Sequence, residues 1–227
     1  MRAADPLRTA SMTLRALARR RFTMAILVLM PLALYAASHD AVGRSVRALV
    51  FGISWAVGTV SFFATNSALR IEPRLRLAGR SRLFLAGCRI GALSAAALGL
   101  AGGFWILVRM DQPVRNIAGV GLGFVVTALV SVALGTVVGV VVRGELEGTL
   151  VLFFLAGLQA VTDPAETVAV LLPFWSSREL ATYAVDGAAA ASLGAGLAHA
   201  ATVLALSGLV IAAAGRWAAR PAVRMRS

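Results

Sequence analysis

Six long apolar runs are the feature that most constrains how this 227-residue chain can fold. They lie at about 22–38, 48–66, 83–108, 117–142, 148–162 and 188–214. A helix needs roughly 20 predominantly apolar residues to cross a hydrocarbon layer about 30 Å thick. Because 59% of the residues are hydrophobic and only 14% are charged, a packed domain of this length would lack the polar surface that water requires. We therefore predict an all-α membrane protein with six transmembrane helices.

The first apolar run follows Arg19, Arg20 and Arg21, as the core of a signal peptide would. It has no small-residue cleavage site before His39, and five more runs follow it. We interpret it as a retained helix.

The arginines indicate the orientation of the chain. All 22 cations are Arg, and 17 of them lie in or beside the N-terminus, the second and fourth connections and the C-terminus, against 5 in the alternate connections. Cytoplasmic loops carry such an excess, so both termini are predicted to be cytoplasmic. The same partition places the net charge of +12 beside anionic lipid headgroups and argues against a nucleic-acid partner.

Residues 1–21 are predicted to form an amphipathic helix before the first span, and 215–227 a basic cytoplasmic tail. On a helical projection the apolar positions, among them Leu7, Leu14 and Leu17, fall on one side, and Arg15 and Arg19 fall on another. Such a helix lies along the membrane surface. The alternative is a basic flank that only sets the topology.

The connection 70–82 is the longest polar segment on the predicted cytoplasmic side. Pro73 can open a short helix and Gly79 can close it, while Leu75 and Leu77 offer apolar contacts among arginines. This pattern favours a helix that docks on a cytoplasmic partner. A solvated loop that only holds the topology is the alternative.

The other cytoplasmic turn contains Glu145 and Glu147. Residues two apart do not share a helical face, which argues against a paired acid–base site. Carboxylates favour the positive end of a helix, so we predict that both cap the fifth helix.

The fifth run is short and ends near Asp163, Pro164 and Glu166. Pro164 disfavours helical geometry at the residue before it. The following piece, 167–172, is too short to span a membrane and leads into Pro173 and Trp175. We predict an outer re-entrant or interfacial element here, with one kinked helix over 148–172 as the alternative.

Polar groups and known motifs are scarce inside the runs. Arg89 is close enough to a span end to reach the cytoplasm with its long side chain, and His199, Asn66 and Gln159 are the other polar side chains of note. Without Lys there is no Walker A loop, and two His with one Cys cannot build a zincin or Cys-ligand site. Catalysis within this chain is therefore not expected.

The layout as a whole resembles the ABC-2 type permeases of bacterial ATP-binding cassette exporters. The local matches run from Ala133-Leu134-Gly135 through Thr149, and from Leu172 through Leu180. Members of the family often carry a Glu-x-Gly-Thr-like sequence in the first cytoplasmic connection, whereas this chain has Glu147-Gly148-Thr149 in the later turn.

The resemblance implies a mechanism and a set of roles. Residues 7–21 would be the elbow helix, 163–187 the outer re-entrant region, and the bacterial cytoplasmic membrane the location. Residues that would couple to the ATPase are Arg70, Glu72, Arg74, Leu75, Arg76, Leu77, Arg80, Glu145 and Glu147. Two permease subunits would sit on two copies of a separate ATPase subunit, which holds ATP and Mg²⁺, and export an amphipathic or hydrophobic cargo. A secondary transporter without an ATPase, or a non-transporting scaffold, are the alternatives.

Overall fold

The computed structural model describes residues 11–12, 15, 21–77, 79, 81–162, 166–187 and 190–217. Within these ranges every regular element is helical and no strand occurs, which confirms the all-α class. Of the predicted elbow helix, Leu7, Leu14, Leu17 and Arg19 lie outside the described residues, whereas Arg15 is helical and exposed.

Seven α-helices and one 3₁₀ helix follow one another along the described residues. They are α1 Arg21–Ala37, α2 Val42–Leu77, α3 Arg82–Asp111, α4 Ile117–Val141, α5 Glu145–Val161, the 3₁₀ helix Thr167–Leu171, α6 Trp175–Asp186 and α7 Ala190–Trp217. Within the described part of the chain, α2, α3, α4 and α7 are long and apolar enough to cross a membrane. The protein is thus compatible with a multi-pass membrane location. Helices α1 and α5 have 17 residues each, and the count of six spans stays a prediction.

Helix α4 is the centre of the bundle, because it packs against α2, α3, α5, α6 and α7. Its closest neighbour is α2. A Cβ atom on Gly135 would collide with the carbonyl oxygen of Gly58, and one on Gly139 would lie 2.8 Å from the Cβ atom of Thr65. Small residues at these positions let the two backbones approach, which is how helices associate in lipid.

The hydroxyl side chains of α4 donate hydrogen bonds to backbone carbonyl oxygens of the same helix. Thr127 donates to the carbonyl oxygen of Gly123 at 2.7 Å, Ser131 to that of Thr127 at 2.6 Å, and Thr136 to that of Val132 at 2.7 Å. All three donors are fully buried. Because they bond to the preceding turn, α4 can bury polar atoms without partners on other helices.

The sequence has glycines four residues apart in α3 and α4, namely Gly99 with Gly103, Gly119 with Gly123 and Gly135 with Gly139, and these pairs differ in what they contact. Gly135 and Gly139 lie against α2, and a Cβ on Gly119 would touch Ala184 of α6. A Cβ on Gly99 or Gly103 would meet open space. Spacing alone therefore does not show which pair packs.

The fifth helix is broken, and the alternative of one kinked helix over 148–172 is wrong. Helix α5 ends at Val161, Thr162 is extended with ψ 133°, and the chain resumes as the 3₁₀ helix. Arg178 of α6 donates to the carbonyl oxygen of Thr162 at 2.6 Å, so a side chain satisfies the helix end.

The substitution Gly135→Ala tests the contact between α2 and α4. We expect it to lower the free energy of unfolding by about 1–3 kcal/mol, because the added methyl group overpacks a rigid backbone contact. Gly99→Ala is the matched control and should be neutral or stabilising, since Ala is the better helix former and the site is open. Thermal unfolding in mild detergent measures both. Equal melting temperatures for the two variants would contradict the packing described here.

Candidate functional site

The bundle has two ends of different charge. At the basic end, α2 finishes and α3 and α5 begin, with Arg70, Arg74, Arg82 and Arg143 on or beside them. The mixed-charge end lies where α1 finishes and α4 begins. The basic end holds residues that the sequence analysis singled out, whereas the mixed-charge end holds a cluster that it did not.

The predicted coupling segment is not a separate short helix. Helix α2 continues through Pro73 to Leu77, and the chain reverses at Gly79, whose φ of +82° suits glycine. An interior proline weakens a helix because it removes one backbone hydrogen bond. Here the turn just before Pro73 is held by ion pairs, so the helix runs on past it.

Two ion pairs join the basic end. Arg70 donates to Glu145 at 2.9 Å, and Arg82 donates to Glu72 at 2.5 Å. Asn66 also donates to the carbonyl oxygen of Arg143 at 3.2 Å. The structure thereby brings together the two connections that were predicted to be cytoplasmic and to couple to a partner.

The two pairs differ in environment. Both partners of Arg70–Glu145 are mostly exposed, so this pair orients the helices but stabilises them by only about 0–1 kcal/mol. Glu72 is only 3% exposed and lies under Arg82. Glu145 and Glu147 both lie in the first turn of α5, but the N-cap residue is Gly144 and no side chain forms a capping hydrogen bond there.

The last turns of α2 expose apolar side chains. Ile71 and Leu75 are exposed, and Leu77 is 91% exposed, next to the exposed Arg74. Arg80 and the side chain of Arg76 lie outside the described residues. This apolar tip, Ile71, Leu75 and Leu77, continues a helix rather than forming a loop.

The mixed-charge end holds a cluster that the sequence analysis missed. Tyr35 of α1 donates a hydrogen bond to Asp111 at the end of α3, and His39 lies 2.9 Å from the same carboxylate. Arg47 of α2 pairs with Asp186 of α6 at 2.5 Å. The sequence held one sign of these contacts. Asp111 and Asp186 are each the last residue of a helix, and His39 and Arg47 lie in or just after the connection between α1 and α2.

The segment 166–186, which was predicted to be an outer element, packs as two short pieces, a 3₁₀ helix and α6. His199 of α7 contacts the carbonyl oxygen of Val170 at 3.0 Å, and its ring meets that of Trp175 edge-on at 5.2 Å. Glu166 is exposed and Pro173 is half-buried. Asp163 and Pro164 lie outside the described residues. His199 thus holds the 3₁₀ helix against α7, in agreement with a packing role.

A cavity of about 320 Å³ lies between α1, α2, α5 and α6. Its wall is mainly apolar, with Leu34, Phe51, Ala156 and Phe174, and Arg44, Arg47 and Arg178 also line it. Gln159 of α5 lines it as well, is 8% exposed, and neither atom of its amide has a hydrogen-bond partner among the described residues. The cavity therefore combines an apolar wall, a polar amide and cationic groups, which suits an amphipathic ligand.

Metal chemistry has no support in the described part of the chain. No group of three His, Cys, Asp or Glu side chains comes together there, and Cys88 is a free thiol.

Comparison with family models, with curated proteins and with solved structures gave no match for this chain. The fold itself defines the class: an all-helical protein with four described helices that can cross a membrane.

The substitution Gln159→Leu tests whether the amide is an unsatisfied group in the cavity. An unpaired buried amide costs about 1–3 kcal/mol, so Leu should raise the melting temperature of the purified chain or leave it unchanged. Gln112→Leu is the matched control: Gln112 is equally buried but donates to Asp111 at 3.3 Å, and its loss should lower the melting temperature. If both variants were destabilised alike, the amide of Gln159 would have a structural partner.

Proposed function

We propose that this chain is the membrane-spanning permease subunit of a bacterial ATP-binding cassette exporter of the ABC-2 type. One observation carries the proposal: the helices whose basic ends are tied together, α2 and α5, are also two walls of the cavity. A soluble motor that pushed on the basic end would therefore act directly on the ligand-sized space.

Helix α2 would act as the lever that transmits this push, because it is continuous. Helix α2 has 36 residues without a break, so the apolar tip and the cavity residue Ser54 belong to one rigid element. From Ser54 to Leu75 the helix rises about 30 Å at 1.5 Å per residue. Rigid-body tilting of such a helix can switch a cavity between access from one side and access from the other.

Six spans are the arrangement that this proposal adopts. Helices α1 and α5 each rise about 26 Å, close to the thickness of the hydrocarbon layer. Contacts at their ends support a full crossing: Tyr35 of α1 reaches Asp111 at the mixed-charge end, and α5 begins beside Arg70 at the basic end. With the basic end in the cytoplasm, both termini are cytoplasmic.

The proposed partners are an ATPase subunit and a second permease subunit. It contains no Walker A lysine, so ATP and Mg²⁺ belong to an ATPase subunit, present in two copies. Exposed Leu150, Phe153 and Phe154 on α5 form an apolar face that suits a second permease copy or a homologous permease within the bilayer. Residues 7–21 serve as the elbow and 163–187 as the outer re-entrant region.

The cargo we propose is amphipathic or hydrophobic. The cavity offers apolar walls for a chain or ring system and arginine side chains for an acidic or polar head. A drug, a lipid or a natural product has this character.

The apolar tip of α2 should be required for binding the ATPase. Purification of the tagged chain in mild detergent is expected to recover a soluble ATPase in equal numbers, and Leu75→Asp should reduce that recovery at least tenfold by placing a charge in the contact. Met110→Asp is the matched control, because Met110 is 83% exposed at the mixed-charge end. It should leave recovery unchanged.

Two results would contradict the proposal, one for the permease role and one for the α2 tip as the docking surface. A chain that purifies without any ATPase, while a known complex survives the same detergent, favours a secondary transporter or a scaffold. Equal recovery with Leu75→Asp and Met110→Asp would remove the α2 tip from the docking surface.

The cavity should be required for transport. In the reconstituted complex, single-chain anionic amphiphiles are expected to stimulate ATP hydrolysis, and Ala48→Trp should reduce this stimulation at least fivefold by filling the cavity. Ala198→Trp, on an exposed position of α7, is the control and should retain it. Stimulation by small hydrophilic solutes alone would contradict the proposed cargo class.

A further inference from the structure

A second cleft, separate from the cargo cavity, lies at the basic end between α2, α3, α4 and α7. Its volume is about 660 Å³. Arginines dominate its polar lining, which comprises Asn66, Arg70, Glu72, Arg82, Arg89 and Arg143. Ile211, Ala214 and Gly215 of α7 supply an apolar wall.

Arg89 is the unusual member of this lining. It was expected to extend to the cytoplasm, but it is only 5% exposed, and its Nε atom has no hydrogen-bond partner among the described residues. Burial of this cation is costly, because the Glu72 carboxylate that acts on it is already paired with Arg82 and offsets the lost hydration only in part. Its position in the lining makes it available to a ligand within the cleft.

The single carboxylate of the cleft lining, Glu72, does not balance the charge of the four arginines there. Glu72 is engaged by Arg82, and Glu145 by Arg70. Arg89 and Arg143 form no ion pair with any residue that the structure describes. The cleft therefore carries two cations without an ion pair of their own in the described chain, and the Glu72 charge that acts on Arg89 is shared with Arg82.

The depth of the cleft suits a lipid headgroup as well as a soluble anion. Arg89 lies seven residues after the start of α3, which is about 10 Å along the helix axis. Only 28% of the apolar window of α3 and 11% of that of α7 are buried, so these two walls border the surrounding lipid. An acyl chain could leave the cleft along the apolar wall of α7.

We propose that this cleft binds a phosphate group, with Arg89 and Arg143 as its principal ligands and Arg82 and Arg70 at its margin. Guanidinium groups match the oxygens of a phosphate in paired, charge-assisted hydrogen bonds. The phosphate belongs either to an anionic phospholipid of the cytoplasmic leaflet or to free phosphate. This proposal does not depend on the ABC exporter assignment, because it needs neither an ATPase nor transport.

The test measures phosphate binding by the purified full chain in a neutral detergent. Phosphatidylglycerol is titrated in one arm, with phosphatidylcholine as the zwitterionic reference, and inorganic phosphate is titrated in the other arm. Native mass spectrometry counts bound lipid, and the melting temperature follows binding in both arms. Arg89→Gln and Arg143→Gln are compared with Arg115→Gln, an exposed arginine at the mixed-charge end.

The expected result is saturable binding that weakens roughly ten- to hundredfold in Arg89→Gln, as the loss of charge-assisted hydrogen bonds requires. Arg143→Gln should weaken binding in the same direction, Arg89→Lys should restore part of it, and Arg115→Gln should bind as the parent chain does. Binding of phosphatidylglycerol alone identifies the lipid headgroup as the source. Binding of inorganic phosphate at comparable occupancy identifies the free anion.

Folding of the variants has its own readout. Because Gln removes a buried charge that forms no ion pair of its own, Arg89→Gln should melt at the same or a higher temperature than the parent chain when no phosphate is present. The proposal is overturned if neither probe binds, or if Arg115→Gln weakens binding as much as Arg89→Gln does. It is also overturned if Arg89→Gln is destabilised without phosphate, since Arg89 would then be a structural residue with a partner in the chain.

Discussion

The close approach of α2 and α4 is the contact on which the rest of the structure depends. Gly58 and Gly135 bring the two backbones together, and hydroxyls such as Thr127 bond within their own helix, so little bulk separates the axes. In lipid no hydrophobic force holds helices together, and close packing of small residues supplies most of the attraction. Helices α3, α6 and α7 then pack around α4.

Helix α2 makes a different contact at each of its two ends, in addition to its packing against α4. Its middle is locked to α4, its basic end is tied to α5 through Arg70 and Glu145, and its other end contacts α6 through Arg47 and Asp186. Some of the arginines from which the orientation was predicted are therefore also tertiary contacts. The proposed lever and the proposed phosphate cleft share this basic end, but they use different faces: the apolar tip of α2 faces outward, whereas Arg89 faces inward.

The helices were easier to predict than their contacts. Helix α4, predicted at 117–142 and found at Ile117–Val141, is apolar along its whole length, so its sequence marks both ends. Helix α2, predicted at 48–66, extends over Val42–Leu77 because a helix does not end where its polar residues begin. The cluster of Tyr35, His39 and Asp111 was missed, since Asp111 lies 76 and 72 residues from the other two and only the packing brings them together.

The sequence by itself determined the helical class and the segregation of arginines, because length, hydropathy and charge act locally along the chain. It left open whether the fifth helix is broken or kinked, and the structure decided for the break. The tertiary structure decided which glycines pack, which carboxylate meets which arginine, and whether Gln159 and Arg89 find a partner. Those outcomes depend on distances between separate helices. Small residues occur throughout this chain, so many helix pairings satisfy the same spacing, and only the assembled bundle distinguishes them.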